Sequence, residues 1–362
     1  MAIQITEEKD CIGCTACQAI CPMNCISLHP DDKGFVYPLV EATDCIECGL
    51  CTSTCPLLAP VQKKSNNPTV YAAKARDRAT LLKSSSGGMF IPLSETILSK
   101  GGVVYGAAFT TDLVVEHIRC TTAQQRDRCV GSKYVQSNME TVLPQVKKDL
   151  ASNLQVMFTG TPCQVAGLRS FLKNAKIDTS NLFCCDLLCY GVPSPKVWQD
   201  YLATLTKGKG EQVSDAFFRD KTQGWNDFSL RIETEHTTTL ESNSKNLFLQ
   251  LYLEHLTIRP SCFDCHFTNL NREGDLTLGD YWGIEQALPE FADPKGVSVV
   301  LVNSPKGKAW LEEVQDSLEL RESSARACMQ SVLSHPLEKP IGYELFWDEY
   351  GKKGFEETTR QF

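Results

Sequence analysis

Apolar and polar positions along the chain mark out a small N-terminal hairpin and then a longer succession of strands and helices. Ile26-Ser27-Leu28-His29-Pro30 and Gly34-Phe35-Val36-Tyr37-Pro38 read as two short paired strands. Pro60 to Pro68 is polar and aperiodic, which fits a linker. Val70 to Ala75 then reads as a strand, and a helix is predicted to open at Ser84-Ser85-Ser86-Gly87-Gly88 and run to about Ser99, with the serines as its caps. Further strands are predicted over Gly101–Phe109, Gln155–Thr159, Leu182–Leu188, Asp275–Asp280 and Val297–Val302, because each is a short apolar run bounded by turn residues. Thr161-Pro162 and Ser194-Pro195 are cap-then-proline signals for helices to about Leu172 and Leu205. Val130–Ser137 reads as a loop or short strand, residues 213–240 as an antiparallel hairpin, and Asn246–Leu256 as a helix. The sum is an α/β domain with a mixed sheet, preceded by a small module.

Composition changes this picture little. The chain has 362 residues, 42% hydrophobic and 22% charged, ordinary for a globular protein with room for a module and one large domain. A formal charge of −8 argues against nucleic acid or an anionic membrane as the main partner. No run is long and apolar enough to span a bilayer, and no apolar leader opens the chain, so a cytoplasmic setting is expected. Eighteen cysteines then read as thiols and metal ligands in a reducing compartment rather than as disulfides, and oxygen sensitivity and an anaerobic setting fit them.

The chemistry begins at Cys11. Cys-Ile-Gly-Cys-Thr-Ala-Cys-Gln-Ala-Ile-Cys-Pro and, from Cys45, Cys-Ile-Glu-Cys-Gly-Leu-Cys-Thr-Ser-Thr-Cys-Pro are two copies of C-x2-C-x2-C-x3-C-P. Three close cysteines can wrap three irons of a cube, and the fourth is expected to begin a short helix and serve the other cube. The expected ligands are Cys11, Cys14, Cys17 and Cys55 for one [4Fe-4S] cluster, and Cys45, Cys48, Cys51 and Cys21 for the other. Zinc sites and disulfide knots are the alternatives, but neither calls for two such quartets. Residues 1–60 are thus expected to be an α+β, ferredoxin-like two-cluster module of the bacterial type, with 61–69 as linker. Two such clusters add negative charge, so this face should attract a basic redox partner. Cys25 falls outside the motif and reads as a buried thiol.

Cys163, Cys189, Cys262 and Cys265 follow strand ends or lie in turns, and only the last two form a local C-x2-C pair. Spacing alone leaves a third cluster, a zinc site and unrelated thiols open. Cys184 and Cys185 are neighbours on one strand and should face opposite sides. Cys120, Cys129 and Cys328 have no partner at useful spacing. His266 reads as structural, and Trp282 as core.

The order of motifs goes further. The double cluster motif, Ser-Ser-Ser-Gly-Gly, Gly-Ser-Lys-Tyr, Gly-Thr-Pro-Cys-Gln, Leu-Leu-Cys-Tyr-Gly-Val-Pro, Cys-x-x-Cys and Leu-Gly-Asp-Tyr-Trp-Gly together resemble the coenzyme F420 hydrogenase/dehydrogenase beta-subunit family over nearly the whole chain. The resemblance implies a mixed-sheet α/β flavin-binding domain over 70–362, FAD held next to a third [4Fe-4S] cluster, and Cys163, Cys189, Cys262 and Cys265 as its ligands. There is no G-x-G-x-x-G, so no Rossmann site is expected. Ser85, Ser86, Gly87 and Gly88 instead offer amides and hydroxyls to a pyrophosphate, and Ser132, Lys133 and Tyr134 a charge to phosphate or flavin. Thr159, Thr161 and Gln164 would lie between cluster and flavin, and Asp280-Tyr281-Trp282 could border it. The implied function is an iron–sulfur, FAD-dependent oxidoreductase, ferredoxin-linked or F420-linked, that passes electrons between clusters and flavin and acts on F420 or another small organic molecule. No catalytic residue stands out. The rivals are an electron-transfer subunit of a larger hydrogenase or dehydrogenase with no substrate of its own, and a flavin-free iron–sulfur sensor.

Overall fold

The computed structural model describes residues 2–60, 67–208 and 210–362. Residues 61–66 of the expected linker lie outside the described residues. Strands β1 (Ile26–Pro30) and β2 (Val36–Val40) form the N-terminal antiparallel hairpin. The helices Ala16–Ile20 and Leu50–Thr54 are related by the internal repeat. Backbone geometry repeats with them: Gly13 and Glu47, then Thr15 and Gly49, all take positive φ at matching offsets from Cys11 and Cys45. Cys21 and Cys55 close these short helices rather than beginning them. The proline that follows each cannot donate to a further helical turn, so the helix stops at the cysteine.

Among the described residues the large sheet has eight strands, in the order β13-β3-β12-β11-β7-β6-β4-β5. These are β3 (Thr69–Ala75), β4 (Val103–Phe109), β5 (Val115–Cys120), β6 (Val156–Gly160), β7 (Leu182–Leu187), β11 (Leu276–Asp280), β12 (Ser298–Val302) and β13 (Leu318–Ser323). The centre, β11-β7-β6-β4, is parallel and both flanks are antiparallel. Successive side chains go to opposite faces. Tyr105, Phe158 and Cys184 therefore pack with the helices Val142–Ala151 and Pro162–Asn174, while Val104, Met157 and Cys185 pack with Phe90–Leu98 and Pro305–Val314. The predicted hairpin over 213–240 is a three-stranded sheet of β8 (Val213–Asp220), β9 (Ser229–Thr234) and β10 (Thr238–Ser242).

The helix expected from Ser84 begins at Phe90, and no serine side chain caps it. The Ser84 amide instead bonds back to Leu81, closing the helix Arg78–Lys83. The helix Asn246–Leu256 spans only Leu247–Leu253.

The N-terminal module shares its core with the large sheet. Ile12, Cys14 and Ala16 pack among the residues of Pro162–Asn174. Phe35, fully buried, joins the cluster built on Trp198 and Phe248. The Ser194 hydroxyl donates to the Lys33 carbonyl. Among the described residues, no helix is long and apolar enough to cross a membrane.

Candidate redox centres

Three cavities each gather one of the cysteine quartets. Cys11, Cys14, Cys17 and Cys55 line one. Cys21, Cys45, Cys48 and Cys51 line the second, with Cys25 on the same wall. Cys163, Cys189, Cys262 and Cys265 line the third. Among the described residues, no three His, Cys, Asp or Glu side chains converge on a point that could hold a single metal ion. The thiols instead surround spaces of the kind a multi-iron cluster needs.

The third cavity forms where the parallel strands end. Cys163 follows β6 at the start of the helix Pro162–Asn174, whose Thr161 and Gln164 make a reciprocal capping box. Cys189 follows the neighbouring strand β7. The other pair is carried in from a distant segment: Ser194 donates to the Thr257 carbonyl at 2.9 Å and Arg259 to the Val192 carbonyl at 3.0 Å. That pairing sets the 3-10 helix Pro260–Asp264 beside Cys189. Burial pushes Cys163 up to about 11 and Cys262 up to about 12, and holds Cys189 far above the ordinary thiol range. A cation that binds there must displace those protons.

The first and third cavities are neighbours, since Ile12 lines both. Cys14 packs directly on Gly167: a Cβ there would stand 2.6 Å from the Cys14 Cβ and 2.8 Å from its sulfur. Arg259, 1% exposed, spans the seam. It donates to the carbonyls of Cys11 and Val36 and to Gln136, and its guanidinium lies 4.4 Å from the Tyr37 ring centroid.

The residues singled out for a flavin fall in two groups. Ser132 donates its amide to the Ser85 hydroxyl at 2.7 Å, which joins the two motif loops. Gly106 packs against both Cys129 and Thr159 and links that wall to the end of β6. Other groups are turned inward. Gly87 gives its amide to Ser298 Oγ, and a Cβ on it would lie 2.2 Å from the Ala73 carbonyl. Gly88 takes φ +86° and packs on Ala75. Ser86 donates to the Val297 carbonyl. Lys133 Nζ donates to the carbonyls of Arg128, Val130 and Gly131, and burial lowers it to about 8. Tyr134 accepts from Arg219 at 3.2 Å.

Near Cys163 the polar chain has a direction. His117 Nε2 donates to the Thr159 carbonyl at 2.8 Å, so Nδ1 accepts from Ser137. Ser137 accepts from Gln164 Nε2, Gln164 Oε1 accepts from the Thr161 amide, and the Thr161 hydroxyl lies 3.0 Å from the Cys163 sulfur. Trp282 stacks on Trp225 and is partly buried, while Tyr281 is core and His266 is exposed.

Sequence reasoning missed Arg259, Gln136, His117, Arg219 and Lys221. Lys221 Nζ clamps the Ser86 carbonyl at 2.9 Å from 135 residues away. Arg219, 2% exposed, pairs with Asp280 at 3.0 Å, and its Nε has no partner among the described residues. Only Arg259, three residues before Cys262, carried a local signal. One expectation is overturned: Cys120 and Cys129 lie with sulfurs 3.8 Å apart, because β5 and the turn after the helix Ala123–Asp127 fold onto each other.

Three cysteine-lined cavities, two in the N-terminal module and one where the parallel strands end, define an iron–sulfur electron-transfer protein of the oxidoreductase type. Residues 10–59 match the 4Fe-4S dicluster domain family. Residues 154–326 match the family described as the C terminus of the coenzyme F420 hydrogenase/dehydrogenase beta subunit. No curated protein sequence matches the chain. Its fold is similar to a chain of the F420-reducing [NiFe] hydrogenase complex from Methanosarcina barkeri, solved as a xenon derivative. The two are 16% identical with a TM-score of 0.50, over 83% of this chain and 94% of that one.

Proposed function

We propose that the chain is an iron–sulfur flavoprotein oxidoreductase. It exchanges electrons between three [4Fe-4S] clusters and FAD and couples them to two-electron reduction or oxidation of a small organic molecule, coenzyme F420 or another. In this reading residues 1–60 hold two clusters through Cys11, Cys14, Cys17, Cys55 and Cys45, Cys48, Cys51, Cys21. Residues 70–362 hold the third through Cys163, Cys189, Cys262 and Cys265. The observation that carries the reading is the sorting of these twelve thiols into three cavities, two of them sharing Ile12.

A flavin fits in part. The unpaired Arg219 Nε is a buried donor suited to a phosphate or ring oxygen. The joined Ser85 and Ser132 loops make a wall beside Cys129 and Thr159. When bound, FAD supplies the conversion between paired and single electrons. Arg219 and Tyr134 would orient it, Lys221 would hold the Ser86 backbone in place, and Trp225 and Trp282 would shield the site from water. A ferredoxin or a partner subunit in a reducing, cytoplasmic setting would exchange electrons at the N-terminal module, in either direction.

One observation favours a second reading. Gly87 and Lys133 spend their donors inside the protein, which suits an electron-transfer subunit of a larger complex with no substrate of its own. Anaerobic purification followed by iron, sulfide and flavin analysis separates the two. About twelve irons and one FAD per chain are expected. About twelve irons without flavin favours the subunit, and about eight irons removes the third centre.

A further inference from the structure

Cys120 and Cys129 belong to none of the three cysteine cavities, yet their sulfurs stand 3.8 Å apart. Cys120 ends β5 and is fully buried, whereas Cys129 is partly exposed. We propose that this pair is a redox-active dithiol that closes to an internal disulfide by exchange with small disulfides or with dithiol–disulfide proteins.

The geometry needs little change. A disulfide requires about 2.05 Å between sulfurs, so closure moves them together by roughly 1.8 Å. The unequal exposure assigns the roles. Cys129 is the thiol a reagent can reach, and Cys120 is the resolving thiol behind it. The electrostatics agree: the Cys120 S–H and the nearby cations of Lys133, Arg128 and Arg126 hold Cys129 below the ordinary thiol range, while Cys120 is held above it. A thiolate at Cys129 is the attacking species. It attacks one sulfur of the small disulfide, forms a mixed disulfide and releases the first thiolate. Cys120 then loses its proton and attacks the Cys129 sulfur, releasing the second thiol. The protein gives up two electrons and two protons, and the small disulfide becomes two thiols.

Closure would act on the wall that the Ser85 and Ser132 loops form. Cys129 is the root of the segment 130–134, and Lys133 folds back onto the Arg128 carbonyl beside it. The disulfide would tie that segment to β5, against Gly106 and Thr159. The inference rests on the thiol geometry and stands whether or not a flavin is bound.

The test uses the anaerobically purified holoprotein in glutathione buffers from reduced to oxidised, quenched with acid and alkylated. Trypsin cuts after Arg119, Arg126, Arg128 and Lys133, so the two cysteines fall in separate peptides. The expected result is a linked pair, Cys120–Arg126 joined to Cys129–Lys133. Its ratio to the free peptides should change about tenfold for each 30 mV of buffer potential, the slope of a two-electron couple, with iron content unchanged. Cys129→Ser should abolish the link and leave Cys120 open to alkylation, while its cluster absorbance reports intact folding. The proposal is overturned if both cysteines stay alkylated in the most oxidising buffer, or if Cys129 carries only glutathione while Cys120 stays free.

Discussion

Arg259 donates from Nε to the carbonyl oxygen of Cys11 at 2.7 Å. One buried guanidinium thereby ties the segment carrying Cys262 and Cys265 to the first cysteine of the N-terminal module. Its other donors go to Gln136 Oε1 at 2.9 Å and the Val36 carbonyl at 3.0 Å. The planar fork cannot be copied by an ammonium. Arg259→Lys should therefore leave at least one buried carbonyl unpaired and cost about 1–3 kcal/mol, read as a lowered thermal midpoint. Arg259→Gln should also lower the potential of the proposed third cluster, because a cation beside an anionic centre favours its oxidised form less. Potentiometric titration followed by EPR checks this, and an unchanged potential in a folded variant would show the charge to be screened from that site.

Gly167 and Cys14 make a second contact across the same seam. In a helix, alanine is ordinarily the better residue by about 1 kcal/mol. Here a Cβ would meet the Cys14 Cβ at 2.6 Å, a contact that forces something to move. Gly167→Ala should therefore destabilise the protein, by about 1–3 kcal/mol, against the helical trend. It should also reduce iron at the first cluster ahead of the others. Iron per chain and the EPR signals of the separate clusters measure this, and a variant as stable and as iron-rich as the parent would refute the contact.

His117 sets a pH dependence. Its ring is buried with Nε2 donating to a carbonyl and Nδ1 accepting from Ser137, and burial lowers it to about 4. Protonation would put a proton on Nδ1, where the Ser137 hydroxyl already points one. The unfolded chain binds that proton below about 6.5 while the folded chain does not. Stability is then full above pH 6.5 and declines as pH falls toward 4, by up to roughly 3 kcal/mol. The thermal midpoint of the parent should fall more steeply between pH 7 and 5 than that of His117→Gln. Parallel slopes would mean the imidazole is already solvated.

How much of this was legible depends on sequence distance. The gathering of the two N-terminal quartets was, because three cysteines of each come from one short loop. The cap-then-proline start at Thr161 and Pro162 was legible because it too is local, whereas the part Gln164 plays in capping that helix was not read. Cys262 and Cys265 could be noticed as a pair, but their meeting with Cys163 and Cys189 depends on residues 257–259 bonding to 192–194, which no local pattern announces. β5 was missed because its buried positions are Val115, His117 and Cys120, so the alternation is hidden behind a histidine. With the strand went the position of Cys120, and with that its approach to Cys129. The serine–glycine loop was misread as a helix start because serine and glycine also suit a tight packing turn, and here Ser298 and the Ala73 carbonyl claim Gly87.

The outer edge of the module bears on partners. Cys48 is exposed, and Met23 at 47% and Ile46 at 61% exposure stand on the cavity wall beside it. Glu41, Asp44 and Glu47 are exposed around them. A cluster bound there would add its own negative charge, so this face should favour a partner with an apolar contact ringed by lysine or arginine. Encounter steered by charge is fast at low salt and slows as screening increases. Electron exchange with a cationic one-electron carrier protein should therefore slow on the order of tenfold between low and physiological ionic strength. Asp44→Lys with Glu47→Lys should remove most of that salt dependence and leave the iron content intact. Stopped-flow reduction at several salt concentrations makes the measurement. A rate indifferent to salt in both proteins would place the exchange surface elsewhere on the molecule.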